Sequence, residues 1–433
     1  MRTDEALVYV EAGQLDAEFQ KLYETDVEVA QQRQRYVDAI RKFEEYFGQD
    51  AVAIFRAPGR TEIGGNHTDH QHGEVLAAAI HLDMIAIVSK CEDACVEIVS
   101  EGFQKISLSI QNISINEAEQ GTSAALVKGV LSGCKERGYR IGGFKAYMTS
   151  SIPPGAGLSS SAAYETLIAS IVSGLYNEMR IDPVDVAKIG QHAENVYFGK
   201  PCGLMDQMAC AIGNMVHIDF ADPDNPETEV LECDLSKLGY SLCITDTQGS
   251  HADLTEDYAA VPAEMHAVAA CFGKEVLHDI SQEQLYERMK EIRETCGDRA
   301  FLRAWHFFEE NKRVRKEVEA VKSGQMELFL QQVQASGDSS YKYLQNIYSN
   351  ADIKRQNIAF ALALSEAQLL DHGVSRVHGG GFAGTIQSFV KKEYADDFRD
   401  DMNAIFGEKS CIELQICKYG GRKLLDESEV ITN

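Results

Sequence analysis

The sequence of 433 residues predicts an α+β fold, on three observations. Strand-like and helix-like segments are segregated along the chain, with few of the alternating β-α units that build a parallel sheet. A strand pattern at residues 144–150 leads through a glycine-rich turn into a helical pattern at residues 162–177. An acidic, proline-bearing connector at residues 221–227 precedes a second half that is mostly helical between residues 256 and 371.

The predicted elements divide the chain into a helical cover and two domains. Residues 1–48 have a charged, helical pattern, which predicts an N-terminal cover without chemistry of its own. We place the first domain at residues 49–215 and the second at residues 216–433, to within about ten residues. The other predicted strands are at residues 52–57, 74–90, 95–100, 105–112, 215–220, 229–233, 240–245 and 385–390. The other predicted helices are at residues 123–137, 184–197, 299–322 and 353–370.

Composition and charge limit the partners that this chain can have. With 44% hydrophobic and 25% charged residues, the sequence is typical of a soluble globular protein. Its net charge of −26 argues against nucleic acid or an anionic membrane as a partner, because both require basic patches. An anionic nucleotide remains compatible, because Mg²⁺ at one site overrides the overall field. The sequence has no N-terminal apolar signal segment and no long apolar run, so we expect a cytoplasmic protein.

Histidine and cysteine, the usual transition-metal ligands, do not form a predicted metal centre. The eleven cysteines are scattered without a Cys-x-x-Cys pair, so we expect free, mostly buried thiols in a reducing compartment. His67, His70 and His72 lie close together and His81 follows, but no fourth ligand at a defined spacing completes the set. A transition-metal site is therefore not favoured.

The stretch at residues 151–163, Ser-Ile-Pro-Pro-Gly-Ala-Gly-Leu-Ser-Ser-Ser-Ala-Ala, is the strongest candidate for a ligand site. Gly155 and Gly157 let the backbone approach a ligand without a Cβ in the way. Three serines follow at the first turn of the helix, where unpaired N–H groups and the helix dipole favour an anion. A phosphate is the predicted ligand, and the alternative is a tight turn with a serine N-cap.

Two better-known phosphate-binding patterns do not fit this stretch. The Walker A pattern requires a lysine after its glycines, and none follows here. A Rossmann fingerprint requires a second strand soon after the helix, but Ile181-Asp182-Pro183 and another helical segment follow instead. A phosphate site here therefore depends on the serines and on the rest of the chain.

The polar segment at residues 58–73 is the second candidate. We interpret it as a short strand end followed by a glycine-containing loop that carries Arg60, His67 and Asp69. Guanidinium, imidazole and carboxylate groups suit the directional hydrogen bonds of a polyhydroxylated ligand. The alternative is a solvated polar loop.

Two carboxylates complete the candidate set. Asp206 lies between Gly203 and an apolar run at residues 208–212, which predicts a half-buried position at a helix start, with a structural N-cap as the alternative. Glu194 stands twelve positions earlier, near the end of the preceding helix. With a serine hydroxyl of the glycine-rich turn it would form a hard oxygen site for Mg²⁺, and the alternative is an ordinary surface residue.

These segments together resemble the motifs of a known enzyme family. The segments at residues 58–73, 153–163 and 379–384 occur in the order and approximate spacing of the three motifs of the GHMP small-molecule kinases. Within that family the chain is most similar to the galactokinases, and residues 201–207 resemble their catalytic-aspartate segment. The likeness extends from about residue 40 to about residue 420.

The resemblance implies a two-domain GHMP kinase fold, with the active site in the cleft between the domains, and an ATP- and Mg²⁺-dependent sugar 1-kinase. It implies that Asp206 activates or orients the anomeric hydroxyl, while Arg60 keeps Asp206 ionised and stabilises charge on the transferred group. By the same resemblance, Ser161 and Glu194 match the Mg²⁺ ligands. The matching ATP-binding positions are Pro154, Gly155, Ala156, Gly157, Leu158, Ser159, Ser160 and Ser161. The matching sugar-binding positions are Asn66, His67, Asp69, Gly203 and Tyr258.

Three positions depart from the family pattern. Asn66 stands where the family has a glutamate that contacts the sugar, Glu62 stands where it usually has an asparagine, and Ala383 replaces a glycine. Because an amide both donates and accepts hydrogen bonds, we expect Asn66 to change the set of accepted sugars while phosphoryl transfer is kept. Tyr258 matches its position only after a shift of one residue.

The expected reaction is the conversion of D-galactose to galactose 1-phosphate by a monomer or weak oligomer whose partners are the sugar and MgATP. One alternative is a 1-kinase for galacturonate, an amino sugar or a pentose, because neutral Asn66 would tolerate a sugar carboxylate better than glutamate would. The other alternative is a sugar- and nucleotide-binding sensor without turnover. The joint presence of Arg60, Ser161, Glu194 and Asp206 argues against the sensor.

Overall fold

The computed structural model describes residues 1–23, 25–249, 254–350 and 353–426, and it confirms the α+β class. The α-helices in chain order are α1 (Thr3–Glu11), α2 (Asp16–Tyr23), α3 (Asp26–Phe47), α4 (Ser123–Glu136), α5 (Ser160–Tyr176), α6 (Pro183–His192), α7 (Met205–Ile212), α8 (Thr255–Ala270), α9 (Gln282–Glu287), α10 (Met289–Cys296), α11 (Asp298–Lys322), α12 (Met326–Ser339), α13 (Asn357–Leu369) and α14 (Ala395–Phe406). The strands are β1 (Ala53–Gly64), β2 (Glu74–Cys91), β3 (Cys95–Ser100), β4 (Ile106–Ser109), β5 (Gly143–Ser150), β6 (Met215–Asp219), β7 (Glu227–Leu231), β8 (Tyr240–Asp246), β9 (Gly373–His378), β10 (Thr385–Lys391), β11 (Cys411–Leu414) and β12 (Arg422–Leu425).

These strands form two sheets. The larger sheet has the strand order β12-β1-β2-β5-β3-β4, and β6 joins it by pairing with β2 while β7 pairs with β6. The pairs in it are antiparallel except for β3 and β5. The smaller sheet has the order β11-β8-β10-β9 and is antiparallel throughout. Strands β7 and β12 thus belong to the larger sheet although they lie beyond residue 215, the predicted domain boundary.

The larger sheet is covered on both faces. Successive residues of a strand point to opposite sides, so neighbouring residues pack with different layers. Ile54 of β1 packs with the N-terminal helices α1–α3, whereas its neighbour Phe55 packs with α4, α5 and α6. The N-terminal helices contribute buried aromatic residues to this packing, including Phe19, Tyr36 and Phe43. Residues 1–47 therefore form a layer on the sheet face opposite to α5.

Strand β1 is longer than the sequence predicts. The predicted strand ends at residue 57 and a polar loop follows, but β1 continues to Gly64 and pairs with β2 beyond Pro58. The register shifts between Pro58 and Arg60. This irregularity allows a proline in the strand, because proline has no backbone N–H to donate to the neighbouring strand. Arg60 therefore lies on a buried strand, and the interpretation of it as a loop residue is wrong.

Two other expectations concern membranes and thiols. Among the described residues, none of the helices combines the length and the apolar character needed to cross a membrane. All eleven cysteines carry free thiols, as expected. Five of them are buried and six are partly exposed, so the expectation of mostly buried thiols is only partly correct.

Candidate active site

Arg60 and Asp206 form a bidentate ion pair at the centre of the candidate site. Arg60 Nε donates to Asp206 Oδ1 at 2.6 Å, and Arg60 Nη2 donates to Oδ2 at 2.7 Å. Arg60 is buried, but the Asp206 side chain is 32% exposed. Burial alone would raise the pKa of Asp206, but the Arg60 guanidinium and the Ser159 hydroxyl hold that pKa below its usual value. Asp206 is therefore ionised at neutral pH and presents an open side.

Asp206 lies inside the first turn of α7 rather than at its N-cap. Helix α7 begins at Met205, and Leu204 occupies the N-cap position. The structural N-cap interpretation of Asp206 is therefore wrong. A carboxylate in the first turn is stabilised by the positive end of the helix dipole, which adds to the effect of Arg60 on its charge.

The glycine-rich turn lies between β5 and α5 and contacts the ion pair directly. Gly155 has φ +77° and Gly157 has φ +68°, values that favour glycine. The Gly157 carbonyl accepts a hydrogen bond from Arg60 Nη1. Ser159 occupies the N-cap position of α5, but its hydroxyl donates to Asp206 Oδ2 and caps no backbone amide. The serine N-cap interpretation is therefore wrong, and the first amides of α5 are left without a side-chain cap.

Glu194 lies beside the same helix start. It stands in the π-helical turn Ala193–Phe198, directly after α6, and its side chain is only 4% exposed. The interpretation of Glu194 as a surface residue is therefore wrong. Ser161 Oγ donates to Glu194 Oε1 at 3.3 Å, so the predicted hydroxyl and carboxylate are brought together.

Two buried residues that the sequence analysis did not select, Gln207 and Glu165, lie beside Glu194. Gln207 Nε2 donates to Glu194 Oε2 at 3.0 Å and to Glu165 Oε2 at 3.1 Å. Burial and the neighbouring Glu194 raise the pKa of Glu165 well above its usual value, which favours its neutral form. Glu165 follows Ser161 by four residues on α5, and this spacing on one helix face could have identified it.

The donor set fits a magnesium ion. Ser161 and Glu194 supply hard oxygen atoms, and the buried Glu165 Oε1 and Gln207 Oε1 beside them have no hydrogen-bond partner. Within the described part of the chain, no group of three or more His, Cys, Asp or Glu residues could hold a metal ion. Mg²⁺ here would therefore depend on phosphate oxygens and waters for its other ligands.

His67 and Asp69 lie in the turn between β1 and β2. Burial lowers the pKa of His67 to about 4, so its imidazole is neutral at pH 7, and Nε2 lies 3.0 Å from the Gly380 carbonyl oxygen, to which it donates. Asp69 lies against Gly203, where a Cβ would stand 1.9 Å from Asp69 Oδ2. A side chain at position 203 would therefore displace the Asp69 carboxylate.

Asn66 is fully buried, and every hydrogen-bonding position of its amide has a partner. Its Nδ2 donates to Glu62 Oε1 at 3.0 Å and to the Gly379 carbonyl at 2.7 Å. Its Oδ1 accepts from Asn346 Nδ2 at 2.8 Å and from Ser340 Oγ at 3.2 Å. Direct contact with a ligand would require one of these bonds to be replaced.

Glu62 connects this network to the second half of the chain. Its Oε1 accepts from Arg376 Nη2 at 2.6 Å, and both side chains are buried. Burial raises the pKa of Glu62, although Arg376 opposes that shift. Asn66 and Glu62, which both depart from the family pattern, are thus joined by a hydrogen bond.

Tyr258 contacts Gly380 and Gly381, in the segment that follows β9. Its Oη donates to the Gly381 carbonyl at 2.6 Å, and a Cβ at Gly380 would stand 2.5 Å from its ring. Burial raises the pKa of Tyr258 to about 12, so the hydroxyl is neutral. Since Gly380 is also the partner of His67, the structure brings Tyr258 to the same wall of the site.

His378, at the end of β9, joins the glycine-rich turn to β1 and was not selected from the sequence. Its Nε2 accepts the Glu62 N–H at 3.2 Å, and its Nδ1 lies 3.0 Å from Thr385 Oγ1. Burial lowers its pKa well below the usual value, so the ring is neutral. A Cβ at Gly157 would stand 3.4 Å from the ring, which shows how closely the third motif approaches the turn.

A cavity of about 270 Å³ opens beside the start of α5. Its lining includes Pro154 of the glycine-rich turn and Ser160 and Ser161 of the first turn of α5. The rest of the wall is largely apolar and includes Met84, Phe103, Leu126, Met148, Ile152 and Tyr164. Sequence reasoning did not find this cavity, because scattered apolar residues of several elements make no motif.

Comparisons with known proteins identify the family. The model of the galactokinase galactose-binding signature matches residues 41–90, and the model of the GHMP kinases N terminal domain matches residues 125–214. A galactokinase of Actinobacillus pleuropneumoniae is 31% identical over 371 residues, which cover 83% of this chain and 91% of the relative. A galactokinase of Glaesserella parasuis serovar 5 is 32% identical over 362 residues, which cover 83% and 90%. The chain belongs to the galactokinase family of GHMP kinases.

Solved structures agree with membership of the galactokinase family. A Lactococcus lactis galactokinase in complex with galactose matches with a TM-score of 0.75 at 25% identity, covering 88% of this chain and 97% of that one. A mevalonate kinase matches with a TM-score of 0.58 at 16% identity, covering 84% and 98%, and this likeness shows the fold alone. The predicted GHMP kinase fold and the predicted resemblance are confirmed, and the chain is a sugar kinase of the galactokinase type.

Proposed function

We propose that this protein transfers the γ-phosphoryl group of ATP to the anomeric hydroxyl of D-galactose and forms galactose 1-phosphate. The observation that carries this proposal is the ion pair of Arg60 with Asp206 directly beneath the glycine-rich turn, with an open side on the carboxylate. A positioned carboxylate next to a phosphate-binding turn is what phosphoryl transfer to a hydroxyl requires.

The roles of the two residues follow from their charges. Asp206, held ionised by Arg60, accepts a hydrogen bond from the sugar hydroxyl and orients or deprotonates it. Arg60 also lies against the Gly157 carbonyl, so its positive charge is next to the position of the transferred group and stabilises the charge that develops there. Positioning and electrostatic stabilisation account for most of the catalysis in such reactions.

Residues around the turn would bind MgATP. The backbone amides at residues 154–161 and the N-terminus of α5 suit the phosphates. Ser161 and Glu194 would hold the Mg²⁺, which when bound neutralises phosphate charge. The apolar cavity lined by Tyr164 and Phe103 suits the adenine base, because a flat heterocycle gains most from contact with apolar and aromatic side chains.

The sugar would lie between Asp206 and the wall formed by His67, Asp69, Gly203 and Tyr258. A carboxylate, an imidazole and backbone groups provide the directional partners that sugar hydroxyls need. D-Galactose is the first choice because the Lactococcus lactis relative was solved with galactose bound. The small molecules sugar and MgATP are then the partners, and we place the reaction in the cytoplasm, where ATP is available.

One observation favours a second candidate, a 1-kinase for a related sugar such as galacturonate, an amino sugar or a pentose. Relative to the family pattern, this chain has exchanged an amide and a carboxylate between positions 62 and 66. The carboxylate of Glu62 is consequently paired with Arg376, and the neutral amide of Asn66 lies at the sugar-contacting position. A neutral group there lessens repulsion of an anionic sugar.

The test is ADP release from MgATP by the purified full chain, with D-galactose, galactosamine, N-acetylgalactosamine, galacturonate, arabinose and glucose compared at equal concentration. We expect D-galactose to give the highest kcat/KM. A higher value for another sugar would keep the kinase and overturn the substrate. Sugar binding without ADP release would overturn the kinase in favour of a sensor.

A further inference from the structure

Lys200 lies at the metal side of the site and has no role in the proposal above. Its backbone N–H donates to the Glu194 carbonyl at 3.1 Å, so its main chain is anchored at the end of the π-helical turn. Its Nζ lies 3.3 Å from Glu194 Oε1, the same oxygen that accepts from Ser161 Oγ. Lys200 and Ser161, a residue of the first turn of α5, therefore contact the same carboxylate oxygen.

Lys200 is more exposed than Arg60, the other cation of the candidate site, and it makes fewer bonds to its carboxylate. Arg60 is buried and makes two short bonds to Asp206. The Lys200 side chain is 64% exposed and makes one longer contact with Glu194. Partial burial opposes its charge, but Glu194 raises its pKa, so the ammonium is charged at neutral pH. A long, exposed side chain of this kind can change partner at little cost.

Lys200 and a divalent cation compete for the same carboxylate. Glu194 is the only charged member of the pair proposed to hold Mg²⁺, and Lys200 neutralises that charge in the protein without nucleotide. When Glu194 is bound to a divalent cation, its attraction for Lys200 is lost and like charges repel. The nearest strong attraction for the ammonium is then the triphosphate on the N-terminus of α5.

We propose that Lys200 is a catalytic residue that exchanges Glu194 for a phosphate oxygen when MgATP binds. In the nucleotide-free protein it holds the carboxylate of Glu194 in place, and in the complex it adds a second positive charge to that of Arg60 at the phosphates. This inference rests on the proposed kinase function, because it requires a nucleotide at the glycine-rich turn.

The test uses Lys200→Met, with Lys188→Met as the matched control. Lys188 lies on α6, is partly exposed, and donates to the Asp224 carbonyl. We would measure by calorimetry the dissociation constant of the protein for the Mg²⁺ complex of a non-hydrolysable ATP analogue. We would also titrate the nucleotide-free protein with Mn²⁺ alone and follow the relaxation of water protons.

The expected changes in Lys200→Met have opposite directions. Loss of a charged contact to phosphate weakens analogue binding by about ten-fold or more. Removal of the competing ammonium strengthens Mn²⁺ binding to the nucleotide-free protein. Lys188→Met leaves both constants unchanged, and Lys200→Arg, which keeps the charge, recovers most of the analogue affinity.

Other outcomes overturn the proposal. Unchanged analogue binding in Lys200→Met would exclude a phosphate contact, and unchanged or weaker Mn²⁺ binding would exclude competition for Glu194. A variant that only misfolds would weaken both ligands, so a loss of both also counts against the role. If the native protein itself did not bind the analogue, the proposed kinase function would fail, and this control separates the two conclusions.

Discussion

Two aspartates of this molecule are each paired with arginine, yet their surroundings are opposite. Asp206 is bonded to Arg60 and Ser159, and 32% of its side chain is exposed. Asp83, on β2, is completely buried. In both cases burial opposes ionisation and arginine restores it, so both carboxylates have a lowered pKa. A lowered pKa therefore does not by itself mark the catalytic group.

Each carboxylate accepts three side-chain hydrogen bonds, so the difference lies in exposure, because a ligand can reach Asp206 but not Asp83. Asp83 accepts from Tyr23 Oη at 2.6 Å, from Arg35 Nη1 at 2.7 Å and from Arg56 Nε at 2.6 Å. Tyr23 and Arg35 belong to the N-terminal helices, whereas Arg56 and Asp83 belong to the larger sheet. The buried carboxylate of Asp83 joins structural elements, whereas the partly exposed carboxylate of Asp206, beside the glycine-rich turn, is the one proposed to act on the sugar hydroxyl. Variants of the two residues should separate stability from activity.

The largest effect is expected for Asp206→Asn. The amide cannot accept the hydroxyl proton, so kcat should fall by about 10³-fold or more while the fold is kept. ADP release gives the rate, and circular dichroism during heating gives the stability. Native-like turnover in this variant would remove Asp206 from the mechanism.

The next largest effect is expected for Asp83→Asn. Removing one charge of a buried network leaves two arginines without their counter-ion, which should lower the free energy of unfolding by about 3–5 kcal/mol. The kcat per folded molecule should stay native. Urea unfolding followed by fluorescence gives the free energy of unfolding.

The matched control is Asp16→Asn. Asp16 pairs with Arg33 in the same helical layer, but both side chains are about one third exposed, so the loss should stay below about 1 kcal/mol. A similar loss in both variants would show that burial does not decide the difference.

Asn66 gives a smaller effect that concerns the sugar. In Asn66→Glu a second carboxylate would lie within hydrogen-bonding distance of Glu62, so this variant should be less stable. The double variant Glu62→Asn with Asn66→Glu restores one carboxylate and one amide, and it should recover stability. The ranking of sugars by kcat/KM should change in the double variant. An unchanged ranking would exclude Asn66 as a determinant of specificity.

The smallest effect is the pH dependence of the Asp83 network. The pKa of Asp83 is lower in the folded protein than the value of about 3.9 in the unfolded chain, so its carboxylate stabilises the fold above that pH. That contribution is lost as the pH falls through the folded-state pKa. The stability difference between native protein and Asp83→Asn should therefore be full at pH 6 and shrink below about pH 4. A difference that does not depend on pH would show that charge is not its origin.

Local patterns in the sequence determined the strand, turn and helix around residues 151–163 and the α+β class, whereas the family resemblance selected Arg60, Asp206, Ser161 and Glu194 as a set. These conclusions were accessible because hydrophobic periodicity, glycine and helix-start chemistry act between residues that are close in the chain. The resemblance to GHMP kinases rests on the same short segments, and the comparisons confirm it.

Tertiary structure decided the features that depend on distant partners. The bonds of Asn66 to Asn346 and Ser340 join residues more than 270 positions apart, and Gln207 joins helices α5 and α7 to the turn after α6. The cavity beside α5 and the burial of Asp83 arise in the same way. A hydrogen-bond partner is chosen by proximity and burial in three dimensions, and neither leaves a pattern in the local sequence.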